Sequence, residues 1–378
     1  MIPFGCAMSS PPRPVSNCEA LVGKALSGEL KKGSWRIIER LERSQDGSGG
    51  NFSVGYLAIH EDGTRSFCKA TDIGLLTRCL IADPLTKMRQ ALNEQYFERE
   101  ILTICRGNNL DRIVHALDYG QMELVENGVR DIVFYIMFEL ASGDVRQQVN
   151  RQKRLGLSWT FLALHNLAIA IQQLHRQRIA HNDVKPSNFL VFDEHLQKLA
   201  DLGRATSETT NGPWDTVNYT GDHNYAAPEF WYRNNFPMQS GKIAFSVRQA
   251  SDLYHLGSMA FFLVTGQRLT PLMHTFIRPE HNSHNWRGNY QEVLPFIRDS
   301  FGASMAFFDT NIPHRPDGSL IPEANDLKTA ICQLCDPDPR LRGHPSNIQQ
   351  SVDQYGLDRF VSQFDRGAKA MNVHYLAT

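Results

Sequence analysis

Long apolar runs are absent from this sequence. The longest, such as residues 259–264, fall far short of the ~20 residues that a membrane-spanning helix needs, so no span is expected. The opening stretch, MIPFGCAMSSPPRPVSNC, has neither a basic leader nor an apolar core, which argues against a secretory signal. An excess of charge of one sign is missing too: 39 lysines and arginines stand against 40 aspartates and glutamates, a formal net charge of -1. That balance removes the basic surplus typical of nucleic-acid and membrane-surface binders, so no nucleic-acid partner is expected. Cysteine is scarce. The seven in 378 residues are scattered and odd in number, which argues against a disulfide framework and fits a reducing, cytoplasmic compartment. Cys332 and Cys335 form a C-x-x-C pair with no second pair to complete a tetrahedral zinc site, so core packing on a helix is expected for them. His281 and His284 lack a carboxylate or cysteine at ligand spacing, which reads as solvated loop.

What is present is an ordinary globular composition, 42% hydrophobic and 21% charged, in a chain long enough for two or three lobes. It is organised around residues 179–204, IAHNDVKPSNFLVFDEHLQKLADLGR. Pro186 and Ser187 oppose a helix, so a loop is expected over 182–188, followed by paired short strands at 189–192 and 198–200. Such pairing brings Asn188 and Asp201 together, an amide oxygen and a carboxylate suited to a hard divalent cation that prefers oxygen.

The spacing of His181, Asp183, Lys185, Pro186 and Asn188, then Asp201 and Gly203, resembles the catalytic centre of eukaryotic-type serine/threonine protein kinases, H-x-D-x-K-P-x-N followed by D-x-G. The resemblance covers roughly residues 34–350. It implies an α+β, bilobal kinase-like fold: a small lobe with an antiparallel sheet and one long helix, and a large, mainly helical lobe. The implied activity is transfer of the γ-phosphoryl group of ATP to protein serine and threonine hydroxyls, autophosphorylation included, with Mg2+ as the metal and Mn2+ able to substitute. Asp183 would accept the substrate hydroxyl's proton, Lys185 would meet the transferring phosphoryl group, and Asn188 and Asp201 would hold the metal. A protein substrate is the implied partner; the sequence gives no oligomeric state. The expected organisation is a mobile leader over 1–33, a small lobe over 34–140, a large lobe over 141–365 and a tail over 366–378.

Taken in order, a short amphipathic segment at 19–30 is expected to be helical. Strand-like pieces follow at 35–38, 54–60 and 65–70, with a tight turn at 61–64. Residues 45–53 occupy the place of the family's glycine-rich loop. There Gly50 and Phe52 fit the pattern, Ser53 replaces the last glycine and Gly55 replaces a valine. Lys69 aligns with the lysine that holds the α- and β-phosphates. Its expected partner is on a helix starting at Asp83-Pro84, with Leu85, Met88, Leu92, Tyr96, Leu102 and Cys105 near helical spacing. Glu98 is best placed, with Glu94 and Glu100 as alternatives. The intervening segment TDIGLLTRCLIA is long for the family and reads as an extra turn or docking surface. Strands are expected at 113–119 and 133–138, with a turn at 126–128.

Glu139 and Ala141 fall in the hinge, whose backbone groups would bond the adenine edge. Asp144 would lie near the ribose, and Leu190 belongs to the same nucleotide-binding set. Phe67 and Lys69 share one strand face, which puts Phe67 over the adenine and makes its ring a candidate to fill the volume lost at Gly55. A helix is expected at 159–176, an activation segment ending at Ala227-Pro228-Glu229, a buried helix beginning at Asp252, a variable region over 271–325, a pairing of Arg342 with Glu229, and a helix over 352–364. Two further positions depart from the family. Asp222 stands where a threonine is usual, and Asn182 stands where an arginine often binds a phosphorylated activation segment. The second departure implies activity without phosphorylation at Thr206, Ser207, Thr209, Thr210, Thr216 or Thr220. The alternative reading is a pseudokinase, a nucleotide-binding scaffold with the same fold. It draws on the imperfect glycine loop and Phe67, whereas a scaffold has no need of Asp183, Lys185, Asn188 and Asp201 together.

Overall fold

The computed structural model describes residues 21–42, 53–72, 83–126, 129–152, 155–232, 235–350 and 353–376. The chain divides into two compact units, one of Met1–Gln95 with Ala116–Leu140 and the other of Tyr96–His115 with Ala141–Thr378. Gly50, Phe52 and the rest of 45–52, the extra segment at 73–82 and the turn residues 127–128 lie outside the described residues.

The small unit is an antiparallel sheet of six strands, β1 (Ala25–Ser27), β2 (Ser34–Leu41), β3 (Ser53–His60), β4 (Arg65–Asp72), β5 (Ala116–Glu126) and β6 (Val129–Glu139), in the order β1-β2-β3-β4-β6-β5. Alternate residues enter its core: Trp35 and Ile37, Val54, Tyr56 and Ala58, Cys68 and Ala70, then Val133, Tyr135 and Met137. With a period of two, Gly55, Phe67 and Lys69 fall on the opposite face. The helix expected at 19–30 does not form. Leu21 and Leu26 are both buried in the sheet's core and Leu26 pairs with Trp35, while Gly23 at a φ of 82° and Gly28 interrupt any helical run. The ordered sheet therefore starts before the expected boundary at residue 34.

Helix α1 (Pro84–Gly107) begins where Asp83 accepts the Thr86 N–H at 3.1 Å, with Pro84 in the first turn. Its first half belongs to the small unit, where Met88, Ala91 and Leu92 pack on Phe134. From Tyr96 it belongs to the large unit, with Phe97, Ile101, Leu102 and Cys105 buried. Leu85 and Tyr96, expected on the apolar stripe, are 76% and 57% exposed. The buried face is instead set by the 97, 101, 105 spacing, one residue out of phase with Tyr96.

The large unit continues through β7 (Gly143–Asp144), α2 (Val145–Gln152), α3 (Leu157–Arg176), β8 (Ile179–Ala180), β9 (Phe189–Val191), β10 (Gln197–Leu199) and β11 (Thr206–Ser207). Beyond them come α4 (Phe245–Thr265), α5 (Leu269–Phe276), α6 (Tyr290–Asn311), α7 (Pro322–Leu334), α8 (Pro345–Gln350) and α9 (Asp358–Leu376). Helix α4 is buried without a break from Ala250 to Leu263 and is the spine of this unit. Cys335 packs at the end of α7 against Gly257 of α4, so tightly that a Cβ on that glycine would collide with its sulfur. His284 is exposed as expected, but His281 is half-buried: its ring stacks on Phe296 at 3.5 Å between centroids. The expected tail over 366–378 is also corrected, because α9 runs on to Leu376. It does so on small residues: Gly367 lies directly on the Phe161 ring and Ala368 is buried, a close approach that hydrophobicity alone does not announce.

Candidate active site

The loop between β8 and β9 is held from below by one buried carboxylate. Asp252 of α4 accepts the backbone N–H groups of His181 and Asn182, each at 2.8 Å, and lies 3.0 Å from His175 Nε2. Burial alone would raise this carboxyl, but the bond from His175 and the charges of His175 and His255, the latter 3.8 Å away, prevail and hold it well below the usual carboxylate range. His181 is fully enclosed, and burial keeps its imidazole below the usual histidine range despite the nearby aspartates. Its Nε2 meets the Ala200 carbonyl at 3.0 Å, which ties the loop to the chain entering Asp201.

On this base the expected polar residues come together. Asp183 Oδ2 accepts from Lys185 Nζ at 2.8 Å and from Asn188 Nδ2 at 3.1 Å, while its Oδ1 accepts the backbone N–H of Asp222 at 2.8 Å. Asn188 Nδ2 also donates to the Asp183 carbonyl at 2.9 Å, so its amide nitrogen points into the loop, while its oxygen meets the Ser187 hydroxyl only at 3.5 Å and keeps acceptor capacity for a ligand. β9 and β10 pair antiparallel as expected, and the Ala200 N–H donates to the Asn188 carbonyl at 2.8 Å, which brings Asp201 beside the loop. Asp201 adopts the left-handed conformation, φ 65°, as the chain turns into Leu202–Arg204. The donors that Asn188 and Asp201 offer are oxygens, the chemistry a hard divalent cation selects, so these residues fit Mg2+. Glu98, only 2% exposed, brings its carboxylate within 3.7 Å of where a Cβ on Gly203 would lie. Lys69 stands on β4 of the other unit, paired with Gly55 and Ile136.

Phe67 does turn away from the core onto the Lys69 face. A Cβ on Gly55 would lie 2.7 Å from its Cε2, so the ring occupies the space over that glycine. Glu139 ends β6 opposite Ser66, and just past Ala141 the Ser142 N–H donates to the Val191 carbonyl at 2.8 Å. Asp144 pairs with Leu190 across β7 and β9, and its carboxylate accepts from the Gln147 N–H at 2.8 Å at the start of α2. Asp222 reaches Asp183 through its backbone alone. Its own carboxylate turns aside and accepts from the Asn224 N–H and side-chain amide, both at 2.9 Å.

The activation segment, residues 204–229, contains contacts that sequence reasoning missed. Trp214 Nε1 donates to the Gly203 carbonyl at 2.8 Å, and the Arg204 guanidinium lies 4.3 Å above the indole. Arg248 donates to the carbonyls of Trp214, Val217 and Asn218, and Lys242 to those of Ser207 and Thr210. Tyr219 bonds the Asp222 carbonyl at 3.0 Å and sits 3.2 Å from His255 Nε2; burial pushes its hydroxyl well above the usual phenol range. The only available signal for Arg248 was a charge one turn before Asp252 on an otherwise apolar helix. At the far end, Arg342 and Glu229 form a buried two-pronged pair at 2.7 and 2.9 Å, as expected. Burial works against the Arg342 charge, but Glu229 more than compensates and holds its pKa above the usual arginine range.

Comparison with known proteins defines the class. The model of the protein kinase domain family matches residues 79–352, most of the chain, and the chain belongs to that family, with its bilobal α+β fold. Among curated relatives it is similar to the serine/threonine-protein kinase mph1 of Schizosaccharomyces pombe, 30% identical over 46% of this chain and 25% of that protein. It is also similar to the serine/threonine-protein kinase MPS1 of Saccharomyces cerevisiae, 26% identical over 50% of the chain and 26% of the relative. The dual specificity protein kinase TTK of Mus musculus is 28% identical over 43% and 18%. The matched part of the chain thus spans about a quarter or less of these relatives' length. Among the described residues, no helix is long and apolar enough to cross a membrane.

Proposed function

We propose that this protein transfers the γ-phosphoryl group of ATP to serine and threonine hydroxyls of proteins, its own included. The observation that carries the reading is the Asp183 carboxylate, bonded on one oxygen to both Lys185 and Asn188 and fixed on the other by the Asp222 N–H. A carboxylate so fixed can orient an incoming hydroxyl and take its proton, because its own rotation is already frozen. Lys185 Nζ, 2.8 Å from that carboxylate, is placed to exchange part of its bond for a phosphoryl oxygen as charge develops there. Asn188 Oδ1 and Asp201 would hold Mg2+, or Mn2+ in its place; when bound, the metal neutralises phosphate charge. Lys69 would bind the α- and β-phosphates with Glu98 supporting it, Phe67 would face the adenine, and the backbone at Glu139 and Ala141 would bond its edge. Gly50 and Phe52 would cover the phosphates, and Asp144 and Leu190 would complete the nucleotide set.

The serine/threonine assignment is supported by Lys185 and by the names of the two yeast relatives, while the mouse relative is named a dual-specificity kinase. The scattered, odd-numbered cysteines support a reducing, cytoplasmic setting. Incubating the purified protein with labelled ATP and Mg2+ or Mn2+, then mapping phosphosites by mass spectrometry, tests the reading. Label on serine and threonine that is lost in Asp183→Asn is expected. Nucleotide binding without transfer to the protein itself or to generic protein substrates would instead establish the scaffold reading.

A further inference from the structure

We propose that Gly212 is a positioning residue for the reaction: it is the point at which the activation segment seats Phe97, and through it Glu98, on α1. The inference rests on the kinase reading above and adds to it what holds Glu98 in place. A Cβ on Gly212 would lie 2.6 Å from Phe97 Cε2 and 2.7 Å from Cζ, distances that real Cβ atoms do not tolerate. The residue's φ lies outside the left-handed region, so its backbone does not demand glycine; the ring does. Phe97 is buried, and the next residue is Glu98, whose carboxylate lies 3.7 Å from where a Cβ on Gly203 would stand.

Gly212 is itself anchored. Its N–H donates to Asp215 Oδ2 at 2.9 Å, and that carboxylate is 3.4 Å from Lys242 Nζ. Two residues on, Trp214 returns to the Gly203 carbonyl. The contacts close a circuit: Gly203 to Trp214, along the chain to Gly212, across to Phe97, along α1 to Glu98, and back to Gly203. Every member belongs to the large unit. The circuit contains no hydroxyl that a phosphate would have to modify. Packing thus contributes to the placement of Glu98 beside the Asp201–Gly203 turn, and a side chain at 212 pushes Phe97 and the helix turn that carries Glu98 away from that turn. Displacements of about 1 Å at reacting groups cost up to ~100-fold in rate, so a shift of a few tenths of an ångström is readable.

A cycle on Gly212→Val, Phe97→Ala and the double variant, with kcat, KM for ATP, KM for peptide and Tm measured on each full-length protein, tests this. We expect Gly212→Val to lower kcat on the order of tenfold with KM for peptide unchanged, and the double variant to return to within about threefold of Phe97→Ala, because the smaller side chain vacates the space the valine needs. Gly212→Ala, with only the offending Cβ, gives the same direction at smaller size and serves if valine prevents folding. Unchanged kcat in both Gly212 variants, or strict additivity in the double variant, overturns the proposal. So does loss of kcat that merely follows Tm across the set. A wild type that transfers no phosphoryl group overturns this proposal together with the kinase reading, whereas an active wild type with silent Gly212 variants overturns this one alone.

Discussion

The loop over 181–188 and the activation segment over 204–229 lie in the same unit but differ in what chiefly holds them. Above the Asp252 carboxylate that takes the backbone N–H groups of His181 and Asn182, the loop is fixed through its side chains: Asp183, Lys185 and Asn188 bond one another, and His181 bonds the Ala200 carbonyl. The middle of the segment is fixed largely through its backbone: carbonyls of residues 207, 210, 214, 217 and 218 accept bonds from Lys242 and Arg248, which stand outside it, while Trp214 and Glu229 add side-chain anchors. A region held by its own side chains must keep their identity, so it is written as a motif. A region held by its carbonyls needs only cations nearby, because every residue type supplies the acceptor.

That contrast can be broken first at the segment's far end. Arg342→Met should leave Glu229 buried without its partner and destabilise the fold by about 3–5 kcal/mol, measured as a shift in the denaturation midpoint at unchanged slope. A shift below about 1 kcal/mol would mean that the pair contributes nothing to holding the segment. The loop is tested next, by chemistry and not by stability: Asp183→Asn should lower turnover at least ~100-fold while sparing ATP binding, since the amide keeps the shape but takes no proton. Near-wild-type transfer, with contaminating kinase excluded, removes the role assigned to this carboxylate.

The small unit extends the comparison to a third means, the filling of space. Gly55→Val should crowd Phe67 and weaken ATP binding by about 0.5–1.5 kcal/mol, and Gly55→Val with Phe67→Ala should recover much of the loss. Additivity in that cycle refutes the coupling. The smallest effect is expected where the segment is exposed. Thr206, Ser207 and Thr220 are buried, with Thr206 Oγ1 accepting from Asn182 and Thr220 Oγ1 donating to the Arg204 carbonyl, whereas Thr209 and Thr216 are exposed. Replacing Thr209, Thr210 and Thr216 by alanine should therefore change kcat by less than about twofold, well under 1 kcal/mol. Inactivity rescued by an acidic residue at one of them would show that the segment does need a charge.

The sequence made the loop legible for the same reason that it hid the segment's anchors. His181, Asp183, Lys185, Asn188 and Asp201 act through side chains of fixed kind at fixed spacing, and β9 and β10 pair as the apolar runs around them require. The pair of Arg342 and Glu229 was legible only through the resemblance to the kinase family, whose Ala-Pro-Glu and late arginine stand here at 227–229 and 342, and the structure buries both partners, as an interior charge requires. Arg248 left only a charge one turn before Asp252, and Lys242 and Gly212 left no mark, the glycine answering a ring more than a hundred residues earlier in the chain. Local pattern also failed at both ends of the fold. At 19–30 the pairing of Leu26 with Trp35 prevailed over an amphipathic spacing, and beyond Arg366 the packing of Gly367 on Phe161 continued a helix whose residues read as polar tail.

The pair of Glu229 and Arg342 also bears on the order in which the chain can be made. The two partners are 113 positions apart. During synthesis Glu229 emerges long before the guanidinium that makes its burial tolerable, and α4, which carries the Asp252 support of the catalytic loop, emerges in the same interval. An unpaired carboxylate in that interior is costly, so the large unit should stay open to protease until Arg342 has cleared the ribosome and close only then. Chains arrested at increasing lengths and probed with protease check this: protection of α4 before residue 342 has emerged would show that the helix settles without the pair.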